Sequence, residues 1–204
     1  ERTRSGRGQV IDVAMVDGAA QLMWMFHGLH AIGQWDPQQR YGNLLDGGAP
    51  FYDCYECADG RYVAIGAIEP QFFEVLRERA ELPAEVFAER LDKRRWPEQK
   101  AAIAAIIGTR TQEEWCALLE GTDACFAPVL SFLEAPAHPA NAGRQSYLSV
   151  DGVVQPAPAP RFGRTPATVR HGPRPLGADT RRVLEAAGLE PEVLDSLAEA
   201  GCLG

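Results

Sequence analysis

The chain has 204 residues, enough for a sizeable core in one domain or two small ones. Its hydrophobic fraction of 46% and charged fraction of 24% are those of a soluble globular protein. A net charge of −8 leaves no basic footprint for nucleic acid and argues against an anionic membrane surface, yet permits an anionic small ligand held by local charge. The opening, Glu1-Arg-Thr-Arg-Ser-Gly-Arg-Gly8, is a basic loop with neither Met nor a signal peptide, leading directly into a strand pattern. Gln9–Met15 alternates as a strand would, with Ile11, Val13 and Met15 on one side. From Val16 to Trp35 the period becomes helical: Met15, Ala19, Leu22, Phe26 and Leu29 recur at steps of three and four. Trp24 and Met25 lie off that stripe, so this helix is expected to be deeply buried or part of a subunit contact. Asp17, His27 and His30 interrupt it, and no run reaches the roughly 18 apolar residues of a membrane span. His27 and His30 have no acidic or cysteine partner nearby and read as structural polar positions rather than ligands.

Asp36–Tyr41 is a loop. The stretch from Asp46 to Phe72 organises the rest. It reads as a Gly47-Gly48 loop, two short strands around an Asp59-Gly60 turn, and a helix opening at Pro70. Glu69 stands where the second strand hands over to that helix. Preceding a proline, it is biased to extended backbone, and its carboxylate can lie over the helix's free N–H groups. Such an acid is either an N-terminal helix acid and nothing more, or a catalytic group on a rigid mount. The apolar neighbours Ile68 and Pro70 would push its pKa up by screening water, and the helix terminus would push it down. Cys54-x-x-Cys57 has no second pair for a zinc ribbon and lies in a strand, where residues three apart point to opposite faces. No metal site is expected. Five cysteines without framework spacing predict reduced thiols and a cytoplasmic setting.

Downstream, Pro70–Ala80 is expected to bury Phe72, Val75 and Leu76. Three more helices are predicted over Pro83–Leu91, Trp96–Ile107 and Gln112–Glu120, the last with a Thr111–Glu114 capping box. Arg90, Lys93, Arg94 and Arg95 form a basic cluster that reads as a solvated surface, the alternative being a contact to a ligand's phosphates or to a partner subunit. Cys125–Leu130 is a short strand. Tyr147–Val150 and Val153–Gln155 flank Asp151-Gly152, a hairpin signal. Gln155–Pro175 is proline-rich and extended. Thr180–Ala187 and Pro191–Ala200 are short helices stopped by Gly188 and Gly201.

Asn43-Leu-Leu-Asp-Gly-Gly-Ala-Pro-Phe-Tyr52 and Gly66-Ala-Ile-Glu-Pro-Gln-Phe72, with Ala58-Asp-Gly60 between them, closely resemble the α-methylacyl-CoA racemase branch of the family III CoA-transferase-like proteins. Gly6-Arg-Gly-Gln-Val-Ile-Asp12, Gly121-Thr-Asp-Ala-Cys125 and Pro128-Val-Leu130 extend the resemblance, which covers most of the chain to about Phe162. It implies an α/β protein with an α+β small domain. Residues 1–40 would end the large domain and cross over, 41–145 would form the small domain carrying Glu69, and 146–204 would return to the large domain. The chain is expected to be the C-terminal portion of a longer enzyme that forms interlocked homodimers. The implied activity is two-base racemisation at the α-carbon of 2-methylacyl-CoA esters through an enolate. Glu69 would be one catalytic base, and Leu45, Tyr52, Ile68 and Pro70 would bind substrate. The other base would be a His–Asp pair in the N-terminal region, and none of the four histidines here lies in that motif. No cofactor is implied beyond the CoA that belongs to the acyl-CoA substrate. The residues that bind CoA are not assigned, and the chain alone is expected to be inactive. The alternatives are CoA transfer between carboxylic acids and a non-catalytic dimerising module.

Overall fold

The computed structural model describes residues 1–203. The chain divides into two compact units, Glu1–Leu130 and Ser131–Gly204.

In the first unit, β1 (Tyr52–Glu56), β2 (Tyr62–Gly66) and β3 (Phe126–Val129) form an antiparallel sheet in chain order. Tyr52 pairs with Gly66, Cys54 with Ala64, and Ala64 in turn with Ala127. Gly60, with φ of +76°, closes the turn that the Asp59-Gly60 signal predicts. Period-two alternation sends Tyr55, Val63 and Ile65 into the core. The middle of the opposite face carries small residues, Cys54, Ala64, Gly66 and Ala127, with Tyr52 at one end and Glu56 and Tyr62 at the other.

Four helices cover the core. They are α4 (Pro70–Arg79), the single turn α5 (Ala84–Phe87), α6 (Trp96–Ile107) and α7 (Gln112–Leu119). Phe73 and Leu76 of α4, Ile103 and Ile107 of α6, and Trp115 and Leu119 of α7 are buried with Phe51 and Trp96. On α4 the inward aromatic is Phe73; the predicted Phe72 and Val75 are only partly buried. The helix predicted over Pro83–Leu91 stops at Phe87, because the next residues are claimed elsewhere. The Trp96 indole donates to the Arg90 carbonyl at 2.9 Å, and Asp92 caps the following turn by accepting from Arg94 N at 3.0 Å. The Thr111–Glu114 capping box is present in full.

Ahead of the sheet, Gln9–Met15 is not a strand. Val10 is 97% exposed, and no neighbouring strand takes its backbone bonds; alternation makes a strand only where an edge is there to pair. The predicted long helix is two, α2 (Met15–Leu22) and α3 (Trp24–Ala31), broken at Met23; a single turn, α1 (Arg2–Ser5), precedes them. Neither α2 nor α3 buries a residue. Met15 is 92% and Leu22 80% exposed, so of the two fates predicted for this apolar surface, burial within the chain is excluded. His30 Nδ1 lies 3.0 Å from the Trp35 carbonyl, the structural role its sequence context predicts. Among the described residues no helix is long and apolar enough to cross a membrane.

The loop from Asn43 to Pro50 is stitched by side chains. Asn43, fully buried, donates through Nδ2 to Asp36 O at 3.0 Å and to Asp46 Oδ2 at 2.9 Å, and its Oδ1 accepts from Asp36 N at 2.8 Å. Asp46 Oδ1 accepts from Asn43 N at 2.9 Å and Gly48 N at 3.0 Å. A Cβ at Gly48 would come 2.5 Å from the Asn43 carbonyl oxygen, so only glycine fits. Burial pushes the Asp46 carboxyl up, but hydrogen bonds from Asn43, Gly48 and Gly42 outweigh it and hold the group below its ordinary value. A lowered folded pKa gives stability that is present above the unfolded value, near 4, and lost as pH falls through the folded one. Asp46→Asn turns an amide toward the Asn43 amide and is expected to cost about 1–3 kcal/mol at pH 7. Urea unfolding at pH 7 and pH 3 checks this: the gap to wild type should narrow at pH 3, and a constant gap would exclude the ionised carboxylate as its source.

In the second unit, β4 (Tyr147–Val150) and β5 (Val153–Pro156) form the predicted hairpin. Asp151 and Gly152 have φ of +52° and +80°, the pair of positive angles that a tight two-residue turn requires. Asp151 Oδ2 also accepts from Gly172 N at 3.0 Å, tying the extended segment to the turn. The short α8 (Pro139–Arg144) precedes the hairpin, and α9 (Thr180–Ala186) and α10 (Pro191–Glu199) follow. An Arg181–Asp195 ion pair joins the last two.

Candidate active site

The corner between β2 and α4 is held from several directions. Gly66 N donates to Cys125 O at 2.8 Å, and Ile68 N donates to Gly66 O at 2.9 Å. The Ile68 carbonyl, part of the peptide bond that carries Glu69, accepts from Arg90 Nη2 at 2.8 Å. Glu69 is the N-cap of α4, with φ −71° and ψ 142°, and its carbonyl accepts from Phe73 N at 3.0 Å. Proline at the first helical position removes an N–H that would have lacked a partner.

With its backbone fixed on both sides, the Glu69 side chain is not used for capping; no hydrogen bond runs from the carboxylate to the helix N–H groups. The contact over the helix end that the sequence allows is therefore not made. Glu69 is also exposed, as is Pro70, and Ile68 is half-buried, so these flanks do not screen the acid from water in this chain. The carboxylate is near enough to act on two neighbours. The Cys125 thiol is pushed up by burial, then by the charges of Glu69 and Asp123. The Arg90 guanidinium is pulled down by burial, with Glu69 acting the other way.

Beside this corner lies a shallow groove over the open face of the sheet. Tyr52, 37% exposed, forms one wall; Ala64, Gly66, Cys125 and Ala127 are among its lining residues. A methyl group on Gly66 would sit 3.9 Å from the Tyr52 ring, so glycine keeps that floor low. Leu45 is half-buried in the Asn43–Pro50 loop and does not line this groove. The structure thus brings Ile68, Glu69 and Pro70 together at the strand–helix corner, sets Tyr52 opposite Gly66 near it, and leaves Leu45 apart.

Two residues escaped the sequence reading. Arg90 belongs to the cluster predicted to be solvated, and Lys93, Arg94 and Arg95 do have surface partners: the Trp96 ring, Asp92, and Glu89 with Glu98. Arg90 instead turns inward over Phe51 and Phe73. Lys100 bridges Asp53 at 2.5 Å and the Gly47 carbonyl, joining α6 to β1 and the glycine loop. Neither contact has a spacing signal, since the partners lie 22 and 53 residues away. The Cys54-x-x-Cys57 pair splits as expected for a strand: Cys54 is exposed, and Cys57 is buried. Burial, with Asp59 close by, pushes the Cys57 thiol up to about 11. Among the described residues no group of three His, Cys, Asp or Glu side chains converges to hold a metal ion.

Residues 1–180 match the CoA-transferase family III. The chain is 44% identical over 196 residues to the mouse (Mus musculus) protein named alpha-methylacyl-CoA racemase, covering 94% of this chain and 51% of that protein. The human protein of the same name is 40% identical over 199 residues, covering 97% of this chain and 52% of it. The chain thus spans about half the length of the curated relatives it matches. A CAIB/BAIF family protein from Brucella suis shares the fold at a TM-score of 0.63 and 19% identity, over 91% of this chain and 50% of that one.

Proposed function

The chain belongs to the CoA-transferase family III, and from that membership we propose that it supplies half of an isomerase that racemises 2-methylacyl-CoA esters at the α-carbon. One observation carries the reading: the Glu69 carboxylate is mounted on an immobilised corner and left unused by the fold. Free of helix N–H bonds, the carboxylate keeps its lone pairs for a proton.

The chemistry needs a base on one face of the α-carbon and an acid on the other, with the enolate between them stabilised by aimed donors. Glu69 takes or returns the α-proton on one face. We assign the opposite face to a His–Asp pair outside these residues, so the chain alone turns over no substrate. Tyr52 offers a ring to pack on the acyl group and a hydroxyl to hydrogen-bond. Ile68 and Pro70 flank the acid, and Leu45 contributes from the loop once the site is complete. No cofactor is required beyond the CoA carried by the substrate, because proton transfer between side chains and carbon completes the reaction. The working protein is proposed to be an interlocked homodimer, which the uncovered apolar surface of α2 and α3 supports. The free cysteines suit a cytoplasmic setting.

The test is solvent exchange. A full-length protein carrying this chain, incubated in deuterium oxide with a 2-methylacyl-CoA ester and no acceptor acid, is expected to incorporate deuterium at the α-carbon. Mass spectrometry of the recovered ester reads it. A CoA transferase shows no incorporation without an acceptor, so a flat mass spectrum overturns the racemase reading.

A further inference from the structure

We propose that Arg90 is the positioning residue for Glu69: it grips the peptide bond that carries the acid and so fixes where the carboxylate stands. The proposal rests on Glu69 being a base, and it adds a residue whose role is to aim that base.

The geometry is that of a bracket. The Arg90 guanidinium carbon lies 4.7 Å from the Phe51 ring centroid and 5.1 Å from that of Phe73. Flanked by two aromatic rings, a planar cation is held by its shape as well as its charge. Nη2 donates to the Ile68 carbonyl at 2.8 Å, and the Arg90 backbone carbonyl is itself fixed by the Trp96 indole at 2.9 Å. The guanidinium thus joins the Phe51 loop, helix α4 and the residue before the acid. Among the described residues its buried Nη1 has no hydrogen-bond partner. A buried charged donor without an acceptor is destabilising, so a fold selected for stability alone would have filled or removed it. The neighbouring negative charge that acts on this guanidinium is Glu69. The other charged groups at this corner are Glu74 and Arg77, which share a groove with Arg90 and bind each other through Arg77 Nε at 2.9 Å, and Asp123, which acts on Cys125.

The experiment measures kcat and KM for α-deuterium incorporation by the full-length protein in four forms: wild type, Arg90→Met, Arg90→Lys and Glu69→Gln. Methionine fills the slot between the rings without charge or fork. In R90M kcat is expected to fall about 10- to 100-fold, from lost aim. KM should stay unchanged, because the substrate's own contacts are left in place. Lysine restores the charge and not the fork, so R90K should lose kcat in the same way. A folded R90M with wild-type kcat, or one whose loss lies in KM alone, overturns the proposal. If methionine unfolds the protein, R90K decides alone: wild-type kcat overturns the bracket, and reduced kcat with an unmoved KM supports it. Exchange surviving in E69Q removes the base assignment itself. A dead E69Q beside wild-type Arg90 variants removes only the positioning role.

Discussion

Replacing Glu69 by glutamine is expected to lower α-deuterium incorporation by the full-length protein about 10³-fold, within the roughly 10²–10⁴ that one positioned acid or base is worth. Glutamine keeps the size and the extended backbone and cannot accept the proton. The effect should be confined to chemistry. The hydrogen bonds that hold this corner run from Gly66 N, Ile68 N, Arg90 Nη2 and Phe73 N to backbone carbonyls, and none uses the acid's side chain. The variant's unfolding free energy is therefore expected to lie within about 0.5 kcal/mol of wild type, as for an exposed position. Glu69→Asp withdraws the carboxylate by one methylene and should fall between the two, at about 10²-fold loss, since a displacement near 1 Å carries that cost. Unaltered incorporation in E69Q with an intact fold would leave the acid as a helix-end residue and nothing more.

Phe51→Ala should lower the unfolding free energy of the first unit by about 3–5 kcal/mol, the usual range for removing a buried aromatic. Phe51 is fully buried. It meets Phe73 edge-on at 6.0 Å and Trp96 at 6.3 Å, and the Arg90 guanidinium lies against it. Truncation opens a cavity that three rigid neighbours cannot refill and unseats a cation as well. Phe51→Leu keeps most of the volume and should cost about 1–2 kcal/mol. Urea unfolding of both variants measures the difference. A Phe51→Ala cost below about 1 kcal/mol would mean that the cluster relaxes around the gap.

These two residues also show what a linear reading captures and where it stops. Local signals carried well. Asp59-Gly60 and Asp151-Gly152 made turns, Pro70 and Pro97 opened helices, and the Thr111–Glu114 box formed, because each depends on residues within a few positions. The strand–helix corner and its acid were legible for the same reason. Gln9–Met15 was not, since alternation predicts a strand only when a neighbour exists to complete the ladder, and none does among the described residues. Phe73 rather than Phe72 faces inward because the packing of α4 on Phe51 and Phe87, and not helical period alone, sets its rotation. Arg90 was hidden among surface charges. Its partners, Phe51 and Ile68, are brought to it only by the completed fold, and composition weights a cluster of basic residues toward water.

If the proposed homodimer is what covers the bare oily flank over residues 10–32, copy number becomes a structural variable. Mass action would then favour the covered form when subunits are plentiful, and scarcity would leave the flank open to chaperones and proteases first. Dilution would threaten such a polypeptide more than a self-sufficient globule, and supply of one subunit would protect the next.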